Sequence, residues 1–171
     1  MSWTQMTFVA GATLPASQMN GLMGNFGMGA KIYLTSCIGI TNNVQTLVNF
    51  HAVDRDTDNM WDANSPGALF VKSGSYSIVE ATAMVRFLPG ILGWRAAKIS
   101  VNSDTTAARG AHAVYQTCSW ASIYTELSLS TGPISVVSGD RISLFVHHVN
   151  GGDLGIRSAD GLTFLAARIV G

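Results

Sequence analysis

Residues 54–102 read DRDTDNMWDANSPGALFVKSGSYSIVEATAMVRFLPGILGWRAAKISVN, and this stretch decides the fold. It opens on an aspartate-rich polar loop. Trp61 and the short apolar run Ala68-Leu69-Phe70-Val71 follow. Lys72-Ser73-Gly74-Ser75 is turn chemistry, in which Gly74 can take positive φ at no steric cost. From Ser77 to Phe87 small apolar residues alternate with larger and polar ones. Ser77, Val79, Ala81, Ala83, Val85 and Phe87 form one set, and Tyr76, Ile78, Glu80, Thr82, Met84 and Arg86 form the other. Side chains of a strand point alternately to its two faces, so the first set predicts a core-facing side. Pro89-Gly90 and Gly93 interrupt the pattern, and residues 96–101 resume it.

Outward from this stretch the same signals recur. Residues 44–50 alternate in period two, with Val44, Thr46, Val48 and Phe50 on one side. Residues 115–130 read as one β-rich run that Gly132-Pro133 breaks. Strands are expected over residues 134–137, 142–150, 153–158 and 162–170, divided by turns at Gly139-Asp140, Gly151-Gly152 and Asp160-Gly161. Nine or ten short strands with no helix signal after residue 30 predict an all-β sandwich.

The quoted stretch resembles the globular-head family of complement subcomponent C-one-q, whose jelly roll is shared with tumour necrosis factor. The residues that carry the resemblance are Asp56, Asp58 and Trp61, then Leu69-Phe70, Gly74-Ser75-Tyr76, Gly93-Trp94-Arg95 and Asn102. Val137-Ser138-Gly139-Asp140-Arg141-Ile142-Ser143-Leu144 fits the family's Gly-Asp turn before a strand. The resemblance implies a jelly-roll sandwich of the TNF-like kind over residues 31–171. It also implies a homotrimer closed about a three-fold axis through aromatic sheet faces. On that basis Tyr76, Tyr124 and Phe145 are the expected trimer contacts or core residues.

Residues 1–30 differ in character. Met19, Leu22, Met23 and Phe26 lie at i, i+3, i+4 and i+7, one face of a helix, but Gly21, Gly24 and Gly27 interrupt it. Each such glycine costs about 1 kcal/mol in a helix interior, so the segment is not expected to hold a helix alone. Trp3, Phe8, Gly11, Leu14, Ala16, Ser17, Asn20, Asn25 and Phe26 follow a pattern that resembles the leader of many tailed-phage structural proteins. That resemblance implies an extended anchoring arm, with Trp3, Phe8, Leu14, Met19, Leu22, Met23 and Phe26 laid against a larger body. The other reading is a strand and helix packed on their own domain.

Composition restricts the function classes. The chain has 171 residues, 47 % apolar and only 12 % charged, where an average globular domain has about 25 % charged residues. A surface so poor in charge suggests cover by partners. Net charge is zero, with no Lys/Arg cluster, so there is no electrostatic footprint for nucleic acid. No apolar run approaches the ~18 residues that span a bilayer. Gly-x-Ser-x-Gly, His-Glu-x-x-His, a Walker loop and Cys-x-x-Cys are all missing. The expectation is a protein that is not an enzyme and holds no cofactor.

Three constellations keep two readings each. Asp54-x-Asp56-x-Asp58 begins like a calcium loop, but positions that should hold Gly and Glu hold Asn59 and Ser65. Aspartates bonding nearby backbone are the alternative. His147 and His148 are adjacent in a strand and so point to opposite faces. A metal would need one of them from each of three copies, and ordinary half-buried or surface histidines are the other reading. Cys37 and Cys118 read as two buried thiols, or as a disulfide if their strands are neighbours.

Together these readings predict a phage virion structural protein, a trimeric capsid decoration or head-fibre protein at the particle surface, assembled in the host cytoplasm. The partners expected are itself, as a homotrimer, and a major capsid protein or other virion protein. A tail receptor-binding protein is the alternative, with the loops over residues 54–66 and 105–110 reading a host surface ligand.

Overall fold

Twelve strands follow one another in the computed structural model: β1 (Gly29–Tyr33), β2 (Ile38–Ile40), β3 (Thr46–Leu47), β4 (Ala52–Asp56), β5 (Ala68–Phe70), β6 (Ile78–Phe87), β7 (Gly93–Val101), β8 (His112–Cys118), β9 (Thr125–Ser135), β10 (Arg141–Val149), β11 (Leu154–Ile156) and β12 (Phe164–Ile169). The structure describes residues 29–72, 78–90, 93–102, 112–118, 124–158 and 161–170, with backbone alone for 112–118.

The alternation over 78–87 makes β6 the frame of the larger sheet. Val79, Ala81, Ala83, Val85 and Phe87 are all buried, while Ile78 and Thr82 are exposed on the other side. β6 pairs antiparallel with β12 on one edge and with β9 on the other. The sheet continues from β12 to β1 and from β1 to β4. β11 joins β6 at Phe87 and carries β2. In the second sheet β10 pairs with β7, and β7 with β8. The short strands β5 and β3 share the remaining edge of β10. The inner faces meet in one core, which sets Val85, Phe87, Leu129 and Leu165 of the larger sheet beside Ile99, Ile142, Leu144 and Val146 of the smaller. Two antiparallel sheets packed in this way make the all-β sandwich expected from the periodicity, in the jelly-roll form that the family resemblance implied.

Several boundaries move. Gly132-Pro133 does not break the chain: β9 runs through it as one strand. Between the pairs Glu80↔Pro133 and Thr82↔Ser130, Thr131 and Gly132 together face Ala81, which is a β-bulge. Gly132 takes φ 63°, and Thr131 Oγ1 accepts the Ala81 N–H at 3.0 Å. The extra residue reverses the phase of the strand, so Leu127 and Leu129 before it and Ile134 and Val136 after it all face the core. Pro133 is tolerated because β9 pairs with β6 alone among the described strands.

The run over 115–130 is two strands, with β8 ending at Cys118 and β9 starting at Thr125. The alternating stretch 44–50 yields only β3, because its backbone is shared out. Val48 N–H bonds Leu144 and Phe50 N–H bonds Pro66, so no single ladder continues. Val48 and Phe50 are buried, but Val44 is 47 % exposed. Asp54 and Asp56, read as loop, lie in β4. β1 begins at Gly29, so Gly29 and Ala30 belong to the sheet rather than to the arm.

Cys37 is exposed, against the expectation of a buried thiol. It sits in the β1–β2 link, where Thr35 and Ser36 N–H groups both point to His51 Nδ1 at 3.3 Å. That pinning keeps the link at the surface.

Candidate interaction face

The outer face of the larger sheet is where exposed apolar and charged side chains converge. β6 contributes Ile78, Glu80, Thr82, Met84 and Arg86, because the alternation that buries its small residues must present these. β12 adds Phe164, Ala166 and Arg168, and β1 adds Lys31 and Tyr33. A shallow open groove crosses the face, lined by Ala30, Lys31, Asp54, Glu80, Thr82 and Ala166.

Most of its charges are matched strand to strand, while Arg55, which also lines the groove, has no carboxylate partner among the described residues. Arg168 lies opposite Glu80 in the β12–β6 register, and its Nε donates to Glu80 Oε2 at 2.7 Å. Lys31 Nζ reaches Asp54 Oδ2 at 2.9 Å and lies 5.3 Å from the Phe164 ring centroid. Arg86 lies opposite Glu126, with Nε 3.0 Å from Oε1 but not aligned as a hydrogen bond. Exposed pairs such as Lys31–Asp54 add only about 0–1 kcal/mol to stability. Their larger effect is to neutralise a face that also carries Ile78, Met84 and Phe164.

Tyr124 anchors one end. Arg157 Nη1 donates to its hydroxyl at 2.7 Å. The Arg157 and Arg86 guanidinium carbons lie 5.0 and 4.4 Å from its ring centroid. Tyr124 remains 36 % exposed, so an aromatic edge held by two cations stands open at the rim. Arg86, Tyr124 and Arg157 come from three separate parts of the chain, and nothing in their spacing announces the cluster.

Phe145 is elsewhere. It stands on the outer face of the smaller sheet beside Trp94, Ala96 and His147, and is only 7 % exposed. Tyr124 and Phe145 therefore occupy different faces of the sandwich. Trp94 and His147 pack with ring centroids 4.5 Å apart. Tyr76, the arm residues Trp3, Phe8, Leu14, Met19, Leu22, Met23 and Phe26, and the loop 105–110 lie outside the described residues.

The remaining sequence candidates have local partners. Asp56 accepts the N–H groups of Met60 and Trp61 at 2.8 and 2.9 Å, one on each carboxylate oxygen. Asp54 is paired with Lys31, and Asp58 accepts from the Thr57 hydroxyl. Among the described residues no group of three or more His, Cys, Asp or Glu is placed to hold a metal ion. His147 and His148 face opposite ways: His148 is buried, with Nε2 at 2.9 Å from the Ile40 carbonyl oxygen.

No protein-family model matches the chain, and no curated protein matches it. Solved structures do. The structure of Eiger TNF from S. frugiperda superposes with a TM-score of 0.58 over 84 % of this chain and 92 % of that one, at 8 % identity. Murine APRIL superposes with a TM-score of 0.57 over 83 % of this chain and 99 % of its own, at 13 % identity. The chain therefore has a TNF-like jelly-roll fold.

Proposed function

We propose that the protein is a non-enzymatic structural module that assembles with two further copies of itself, and that residues 1–30 tether the assembly to a tailed-phage particle as a capsid decoration or head-fibre protein. The observation that carries self-association is the outer face of the larger sheet. Most of its charges are already paired across strands, and it also carries Ile78, Met84, Tyr124 and Phe164. Charges that are already paired cost less to bury against a copy than unpaired ones do. The likeness to TNF-like structures and the low charge of the whole chain support the same reading. The tether rests on the phage-like leader alone. A shell contact of ~1,000 Å² would suffice for stable attachment.

Sedimentation equilibrium of the full chain should return three protomers, and a monomer would remove the assembly. Purified shells should bind the full chain and gain thermal stability, since a ligand of the assembled state stabilises it by mass action. A chain lacking residues 1–28 should keep its oligomeric state and lose the shells. Retained binding would overturn the role of the arm.

A further inference from the structure

Arg95 is 0 % exposed, inside the sandwich. Arginine is almost never fully buried without a counter-charge. Yet its Nε, Nη1 and Nη2 have no hydrogen-bond partner. No carboxylate among the described residues reaches it: Asp153, beside Leu154, takes the Asn42 N–H at 3.1 Å, and Asp140 is held by Asn102. The Phe87 ring, with its centroid 5.9 Å from Cζ, offers a quadrupole and not a charge.

Other polar groups stand beside it. His148 is the register partner of Arg95 across β7 and β10, so both side chains leave the same inner face. His148 is fully buried too; its Nε2–H donates to the Ile40 carbonyl, which leaves Nδ1 as an acceptor without a partner. Asn150 closes the end of the sandwich, with Oδ1 accepting the Gly152 N–H and Nδ2 turned the other way. A methyl built on Gly90 would lie 3.1 Å from Arg95 Nη2 and 3.1 Å from Asn150 Nδ2. Two donor nitrogens thus converge beside Gly90 and the Leu154 side chain.

We propose that Arg95 and Asn150 form a buried site for a small monovalent inorganic anion such as chloride. One guanidinium charge matches one negative charge. The anion lifts the penalty of an unpaired buried cation, so the folded chain is stabilised as halide binds.

Two measurements on the full chain test this. Crystals grown in bromide should show an anomalous peak within roughly 3.5 Å of the Arg95 guanidinium. In buffers of matched ionic strength, replacing gluconate by chloride from about 1 to about 200 mM should raise Tm by several degrees and saturate. Arg95→Met should remove that dependence. If Arg95→Met does not fold, the bromide peak and the chloride titration of the unaltered chain still decide. No peak together with the same Tm in both salts overturns the site.

Discussion

Asn102 and Asp140 are 38 residues apart and meet side chain to side chain, Nδ2 donating to Oδ1 at 2.5 Å. Asn102 Oδ1 in turn accepts the Arg141 N–H at 2.7 Å, and Asp140 Oδ2 accepts the Val137 N–H at 2.8 Å. Asp140 is 4 % exposed, so its charge depends on these donors. The network ties the end of β7 to the turn that starts β10. Asn102 holds φ 59°, a left-handed conformation that asparagine tolerates better than most residues. Asn102→Ala should therefore cost about 2 kcal/mol, and Asp140→Ala about 3 kcal/mol. Urea unfolding measures both. A loss below about 0.5 kcal/mol in each would show that the network does not support the sheet.

Thr82 is exposed at the middle of the outer face of the larger sheet. Thr82→Arg adds an unpaired charge there without touching the core. The isolated chain should keep its stability within about 0.5 kcal/mol, as surface substitutions do. The assembly should dissociate, read by sedimentation at constant protein concentration.

Gly93 starts β7 hard against β10. A Cβ at this position would lie 1.9 Å from the Val149 carbonyl oxygen, which is backbone and cannot swing aside. Gly93→Ala should destabilise by about 3 kcal/mol through forced separation of the two strands. Thermal unfolding checks it, and an unchanged Tm would mean that the strands part freely.

Cys37 should react quickly and stoichiometrically with a thiol reagent in the folded protein, because it is exposed with only Ser158 Oγ 3.9 Å away. Labelling that waits for denaturant would contradict its placement.

What the sequence disclosed, and what it concealed, follows from range. β6 was legible because its small residues repeat every second position and the period alone assigns the faces. Asn102 and Asp140 were both legible through motif resemblance, but their hydrogen bond was not. The β9 bulge was hidden because Gly132-Pro133 is ordinarily a stop, and only the partner strand shows the phase being reversed. Cys37 misled because a thiol usually behaves as a small core hydrophobe, while its neighbours tie this one to the surface. The convergence of Arg86 and Arg157 on Tyr124, and the burial of Arg95, depend on contacts between distant strands that no local pattern records.

β1 and β12 lie side by side, with Gly29 against Arg168, although most of the chain separates them. Such a pairing has no local shortcut. A long loop must close, at an entropic cost, before the central ladder can zip. Folding is therefore expected on the millisecond-to-second scale of other non-local β topologies, and an elongating polypeptide must wait for β12 to leave the ribosome. Until then β1 and β6 are unsatisfied edges, which makes the newly made chain a natural client for a holding chaperone.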